Sequence, residues 1–531
     1  MSRYLFIPLV LVLSLGTCAL GIWKGSFVAG AADAYGYVSE ADLIAHGSLR
    51  VDQQFVRTLP WPFADWSFAP AGYRPALERG FIVPTYPAGV PLIMALFQRA
   101  GGRHAVFYVV PLLGALCVFM TSLLGAAVHG RLAGLMAALL LAVSPSFMTE
   151  LMAPASDVAA TAWWTVALVL TVRGGSLAAL GAGVAVSAAV LTRPNLVPIA
   201  VVLGGFWIWR AIRGASEGRP VVLPLALFGG AAVPGCLAVA AINQYLYGSP
   251  LRFGYEPVDV LYQLANAGPN LDRYPRWLVQ TQTPFILLAL AAPFFARGRR
   301  QRSPHFALDR VVLLLSVAAV VWLSYLFYLP FARDEWTYLR FLLPAYPPLL
   351  VLSVAVTIEV LGLAIVRDGA RITATVIACV ALAGWLARTA VDRGALMARL
   401  VERRYADVGR YIDVTLPANG VFIASVQAGS IRYYSGRLTL NYDRLQPRWL
   451  DDAVAELRSR GLHPFIAVEA DEERLFRERF AEMNVLGRLD WPPVAERREP
   501  IPVRIYDPAD RERMQRGERI ETRTIPLVRR W

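Results

Sequence analysis

Eleven apolar runs, all within the first 387 residues, constrain this chain more than any other feature of its sequence. They lie near 4–23, 105–128, 131–148, 157–173, 176–192, 195–212, 221–245, 281–296, 310–330, 341–366 and 371–387. A helix needs roughly 20 predominantly apolar residues to cross the hydrocarbon of a bilayer. In lipid a spanning segment must pair its own backbone polar groups, so these runs predict helices. The expected fold is an α-helical polytopic membrane protein with about 11 transmembrane helices. Residues 388–531 read differently, as a water-soluble unit. The chain therefore divides into a transmembrane part, 1–387, and a small C-terminal α/β domain, 388–531.

Composition supports that division. Charged residues make up 17% and hydrophobic residues 56%, whereas a soluble domain carries about 25% charged residues. The net charge is +13, and Lys24 is the single lysine, so arginine supplies nearly all of the positive charge. Those arginines sit in short joints and in the tail rather than on one amphipathic face, which argues against nucleic acid as a partner. Cys18, Cys117, Cys236 and Cys379 fall inside apolar runs without paired spacing. They read as small hydrophobic residues, not as disulfides or a metal site.

The basic joints set an expected orientation. His129–Arg131, Arg173, Arg210–Arg219, Arg297–Arg310 (with Arg299, Arg300 and Arg302) and Arg367–Arg371 are short and basic. Such loops stay on the cytoplasmic side. With eleven spans and an inside N-terminus, all five joints fall on that side. The first run has signal-peptide character but reads as an uncleaved anchor, given the spans that follow. Residues 24–104, the 149–156 joint, Thr192–Asn195, the 246–280 loop, the 331–340 loop and the tail are then external. Within 24–104 the stretch Pro87–Phe97 is apolar but too short to span, and suits a helix lying along the membrane surface.

In the tail, Val401, Tyr405, Val408 and Ile412 recur at helical spacing, followed by a strand at Val421–Ser425. Leu450, Val454 and Leu457 predict a helix, Pro464–Val468 a strand, Leu475, Phe476 and Phe480 a helix, and Val503–Tyr506 a strand. This alternation predicts a small α/β domain. It contains neither a P-loop nor a Gly-rich dinucleotide fingerprint.

Two carboxylates stand at the external membrane face, where burying a charge is costly. Asp33 follows the first run and Asp157 opens the fourth. Converging on one cavity, they could remove a proton from an acceptor hydroxyl or hold a divalent cation. Each could equally be a helix-start residue favoured by the helix dipole. Arg340, Arg193 and Arg74 lie on the same side and suit phosphate contacts, or simple snorkelling at the interface. Arg340 follows the charged and aromatic stretch Arg333–Asp334–Glu335–Trp336. Tyr255, Tyr262, Tyr274, Trp277, Trp61 and Trp66 are either sugar-stacking faces or an interfacial belt.

In order along the chain stand Asp33, Tyr35 and Tyr37, then Glu40 to Leu49, Pro84–Leu92, Ser144–Pro145, Ser156–Asp157, Leu191–Asn195 and Arg340–Pro347. Together they resemble the GT-C-fold glycosyltransferases, the broad class of protein O-mannosyltransferases and aminoarabinose transferases. The resemblance covers roughly residues 1–387. It implies an integral membrane glycosyltransferase, inverting, that moves a hexosyl or pentosyl group from a polyprenyl-phosphate donor to an acceptor hydroxyl. Reaction would take place on the external face of a bacterial inner membrane. The same resemblance implies Asp33 and Asp157 as catalytic acids, one or both of them ligands to a possible divalent cation (Mg, Mn or Ca). It implies Arg340, Arg193, Arg74, Tyr35, Tyr37 and Glu40 as contacts to donor phosphate or substrate. Membrane lipids and an acceptor glycan, lipid or protein would be the partners. Here Asp33 is followed by Ala34, where such enzymes usually carry a second acid. The tail resembles external domains appended to some members, most clearly at Gly429–Arg437. The rival readings are a transporter or flippase of lipid-linked sugars, an O-antigen-ligase-like enzyme, and a non-catalytic envelope-assembly protein. Ionisable residues clustered at the outer face, with no internal repeat, favour the enzyme over a transporter.

Overall fold

The eleven apolar runs fall largely on helices of the structure, a computed structural model that describes residues 2–216, 222–297, 306–329 and 334–527, with breaks at Val143–Ser144 in one run and at Thr283 in another. Arg219, Arg299, Arg300, Arg302 and Arg333 lie outside the described residues. Among the described residues seven helices are long and apolar enough to cross a membrane, or nine if each of two bent pairs is one span. The count falls below eleven for chemical reasons. Ser156–Arg173 is diluted by Asp157, Arg173 and three threonines. Ser176–Thr192 is apolar but has only 17 residues. Both sit inside the bundle, where neighbouring helices rather than lipid cover much of their surface. Hydroxyls within the helices bond their own backbone, as Thr121 does to the Cys117 carbonyl at 2.8 Å and Thr161 to that of Asp157 at 2.8 Å.

Helix ends separate by charge. At one end the basic joints cap carbonyls and pair. Arg310 Nη1 donates to the Ala127 carbonyl at 2.6 Å, and Arg210 Nη1 to that of Thr171 at 2.6 Å. There His129 also meets Glu359 at 2.9 Å. Cys236 departs from expectation: it is exposed, while the other three cysteines are buried. It lies on Val222–Tyr247, whose apolar window is only 11% buried within the protein.

The opposite end carries the elaborated segments. Residues 24–104 form the helix Asp33–Ala45, then an antiparallel sheet ordered β1-β3-β2, and finally the helix Gly89–Gly101. The three strands are β1 (Val51–Asp52), β2 (Tyr73–Pro75) and β3 (Phe81–Pro84). The apolar stretch after Pro87 is thus helical, and it packs on Asp33–Ala45 through buried Val90, Met94 and Ala95. The 246–280 segment is less of a loop than its composition suggests. It ends in the helix Ala267–Gln282, which folds back at about 106° against Pro284–Arg297. The reversal is at Thr283, whose φ is 58°, followed by Pro284. Tyr274 and Trp277 are buried in that helix.

The tail is an α/β unit around a six-stranded sheet ordered β5-β4-β6-β8-β7-β9. Its strands are β4 (Gly420–Ala424), β5 (Leu438–Asn441), β6 (His463–Glu469), β7 (Ala495–Arg497), β8 (Val503–Tyr506) and β9 (Arg523–Thr524). β4 pairs in parallel with β5 and β6, while β8 runs antiparallel to β6 and β7. The helices Ala398–Thr415, Leu450–Ser459 and Ala470–Phe480 lie where the 3.6-residue pattern puts them. This unit docks on the first segment. Val56, Trp61 and Phe68 share one buried cluster with Val421, Leu440 and Phe480. Arg432 donates to the Phe68 carbonyl at 2.7 Å, and Ala29 N–H donates to the Tyr434 hydroxyl at 2.9 Å. The helix Ala428–Ser435, which includes most of the Gly429–Arg437 stretch, meets Tyr35. A side chain at Gly429 would stand 2.3 Å from that ring.

Candidate active site

Asp33 is the first residue of its helix, and Asp157 the second residue of Ser156–Arg173. Their carboxylates do not simply cap those helices. Asp33 Oδ2 is 2.7 Å from Arg340 Nη1, and its Oδ1 accepts from the Tyr86 hydroxyl at 2.6 Å. Asp157 Oδ1 is 2.6 Å from Arg193 Nη2, which also donates to Ser156 Oγ at 3.2 Å. Tyr37, one helical turn beyond Asp33, donates to Ser156 Oγ at 2.8 Å and so joins the two pairs. Its ring stacks on that of Tyr86 at 4.7 Å.

Both pairs lie in the wall of one cavity of about 630 Å³, bounded also by Tyr255, Tyr262 and Tyr325. The pairs differ in access. The Asp33 side chain is 35% exposed and that of Arg340 26%, against 3% for Asp157 and 10% for Arg193. Burial favours the protonated form of Asp33, but the Arg340 charge and the Tyr86 hydroxyl outweigh it. The carboxyl is held below its usual range and stays ionised. Asp157 is sealed in with its arginine, which suits holding the helix ends together better than touching substrate. Arg193 Nη1 is buried with no protein acceptor, and its guanidinium stands 5.5 Å over the Phe341 ring. Asn195 holds the Tyr325 hydroxyl at 2.9 Å.

Gly36 explains how Tyr86 reaches Asp33. A Cβ at Gly36 would lie 2.3 Å from the Tyr86 ring, so any side chain there would push Tyr86 away from the carboxylate.

Three expected contacts are placed elsewhere. Tyr35 packs with Tyr73 and Ile82 against the tail, because it lies on the helix face that the tail covers. Glu40 is 1% exposed with neither oxygen hydrogen-bonded. Burial holds its carboxyl well above the usual range, and it lies outside the wall of the Asp33 cavity. Arg74 lines a neighbouring cavity instead, where it donates to the carbonyls of Phe253 and Gly254 at 3.4 and 3.3 Å. Two residues of the charge cluster carried no assigned role in the sequence. Tyr86 stands in the Pro84–Leu92 motif. Glu150 ends the broken third span, within electrostatic reach of Asp33, Asp157, Arg193 and Arg340. An ionisable residue so close to a span is the signal that singles it out.

The donor set does not fit a divalent cation. Such ions need several oxygen ligands, yet here each carboxylate is neutralised by its own arginine. Among the described residues no three His, Cys, Asp or Glu side chains converge.

No protein-family profile and no curated protein sequence matches the chain. Solved structures do. ArnT from Cupriavidus metallidurans bound to undecaprenyl phosphate is 12% identical, with a TM-score of 0.57 over 95% of this chain and 98% of ArnT. The Archaeoglobus fulgidus oligosaccharyltransferase tethered to an acceptor peptide containing the NVT sequon is 11% identical, with a TM-score of 0.56 over 94% of this chain and 73% of the enzyme. The same archaeal enzyme in complex with Zn and sulfate gives 11% identity and a TM-score of 0.50 over 94% and 73%. These likenesses show that the chain shares the fold of those structures, the GT-C fold that the ordered motifs suggested.

Proposed function

We propose that the chain is a membrane glycosyltransferase that transfers a sugar from a polyprenyl-phosphate donor to an acceptor hydroxyl. The observation that carries this reading is the Asp33–Arg340 pair: an ionised, accessible carboxylate beside a guanidinium, in a tyrosine-walled cavity at the end of an apolar bundle. The structural likeness to ArnT with its bound undecaprenyl phosphate supports the choice of donor.

In the reaction the acceptor oxygen attacks the anomeric carbon and the bond from that carbon to the phosphate oxygen breaks. Asp33 takes the acceptor proton. The electron pair of the broken bond leaves on the polyprenyl phosphate, whose developing charge is met by the free N–H groups of Arg340 and by Arg193 Nη1. One displacement inverts the sugar carbon. Asp157 is a positioning residue, holding Arg193 and, through Ser156, Tyr37. A cavity on the external face lies away from nucleotide-sugar pools, which is why a lipid-carried donor fits. The transmembrane part, 1–387, holds this machinery, and the tail lies on the same side.

Native mass spectrometry of the purified protein should show co-purified polyprenyl phosphate. The Asp33→Asn protein should keep that lipid and lose transfer. Wild-type transfer by a normally inserted Asp33→Asn protein would sink the reading.

A further inference from the structure

A second cavity, of about 1210 Å³, adjoins the first, and Tyr86 and Tyr255 line both. Three separate stretches build its wall: Trp66 and Arg74 from the first segment, Arg252 from the 246–280 segment, and Ser425, Asn441 and Arg444 from the tail. Its three arginines differ from those around Asp33 and Asp157. Among the described residues none of the three has a carboxylate oxygen within 4 Å, although Glu256 and Asp443 also line the wall. Arg74 and Arg444 instead face the same indole, at 5.6 and 5.1 Å from the Trp66 ring centre. Burial and then the charge of Arg252 hold the Arg74 guanidinium below its usual range, against the opposing pull of Tyr247 and Glu256. Three arginines against two carboxylates leave the wall net positive, which favours an anion.

The tail's contribution follows from its topology. In open α/β sheets ligands bind outside the carboxyl ends of the parallel strands. Ser425 follows β4, Asn441 ends β5, and Arg444 closes the turn that follows it. The neighbouring crevice, between β4 and β6, is filled by the chain itself. Glu472 accepts from Val426 N–H at 3.1 Å and from the Tyr442 hydroxyl at 3.0 Å. The β4–β5 ends are left to face the cavity, beside Ala32 and hence one residue from Asp33.

We propose that this outer cavity is the acceptor site. The acceptor is an anionic saccharide whose phosphate or carboxylate is held by Arg74, Arg252 and Arg444, with a hydroxyl reaching Asp33 past Tyr86. The proposal rests on the transferase reading above and gives it a substrate class. Trp66 supplies the apolar face on which a sugar ring stacks.

Calorimetric titration of the full chain in detergent tests it, with mannose 6-phosphate and uncharged mannose as probes. The phosphorylated sugar should bind roughly tenfold tighter, the scale of one charge-assisted hydrogen bond. The double variant Arg252→Gln/Arg444→Gln, altered at two exposed side chains, should lose that advantage while still co-purifying with polyprenyl phosphate. Equal binding of the two sugars would overturn the proposal. So would a double variant that loses the lipid but still binds mannose 6-phosphate, which would move these arginines to the donor phosphate. Because binding is read without turnover, an active Asp33→Asn protein would remove the transferase reading and leave this measurement standing.

Discussion

The inner and outer cavities meet at Tyr86, and both present arginines, yet they handle charge in opposite ways. In the inner cavity Arg340 and Arg193 each carry a carboxylate within 2.7 Å. In the outer one Arg74 and Arg444 face an indole and Arg74 also backbone carbonyls, while Glu256 and Asp443 line the wall without a carboxylate oxygen within 4 Å of Arg74, Arg252 or Arg444. Pairing lets a charge exist in a partly desolvated place and keeps a carboxylate ionised there. Leaving charges unpaired keeps a site ready for an anion. The difference teaches that an arginine at the end of an apolar helix bundle cannot be given a role from its residue type alone. Its partner decides.

The sharpest way to break the comparison is at Asp33. Asp33→Asn should lower transfer roughly 10²–10⁴-fold, the usual worth of a positioned base, with assembly unchanged. Equal transfer would show that the accessible pair is structural like the buried one. Asp157→Asn should act mainly on folding. It strands Arg193 as an uncompensated buried charge, worth about 3–5 kcal/mol, and the thermal midpoint in detergent should fall. A variant with normal stability and no transfer would instead make Asp157 part of the chemistry.

The Arg340 variant sharpens the electrostatic claim. Asp33 must be ionised to act, and Arg340 is the main group holding its pKa down against burial. In wild type the acid limb of kcat/KM should therefore lie below the usual carboxylate range, leaving this group ionised across neutral pH. Arg340→Gln removes the charge and leaves the burial, so the limb should move to higher pH. An unmoved limb would show that another group titrates.

Smaller effects fall on the outer cavity. Trp66→Ala removes the face shared by two guanidinium groups and should weaken sugar-phosphate binding roughly threefold, on the scale of an exposed cation–π contact. The least effect is expected at Glu472 beside the strand ends. Burial pushes its carboxyl up to about 7, although Glu469 and Val426 N–H donate to it. Because the folded tail holds that proton more tightly than the unfolded chain does, its contribution is complete below the ordinary glutamate pKa of about 4.3. The contribution declines as pH rises toward about 7. Glu472→Gln should flatten that slope in thermal unfolding between these limits.

Much of the fold was legible in local pattern. The apolar runs fell largely on helices, and the tail's spacing of Val401, Tyr405, Val408 and Ile412 marked Ala398–Thr415. The short strands β7 and β9 escaped, because two or three residues carry too little alternation to register. So did the helix Ala267–Gln282, whose Tyr, Asn, Gln and Pro content reads as loop. Of the site, Asp33, Asp157, Arg193, Arg340 and Tyr37 were visible as charged or aromatic residues at helix ends. Tyr35 and Tyr37 could not be told apart, since only packing decides which helix face the tail covers.

The sequence by itself determined a membrane-embedded helical part, a soluble α/β tail, and a set of charged residues too costly to bury idly. Hydropathy and periodicity are local, so they survive without a structure. Tertiary structure alone decided which arginine meets which carboxylate. Asp33 and Arg340 are 307 residues apart in the chain, and no local pattern encodes that contact. It also decided which pair is left open to substrate, and that the tail's strand ends close the second cavity, because exposure depends on everything that packs around a residue.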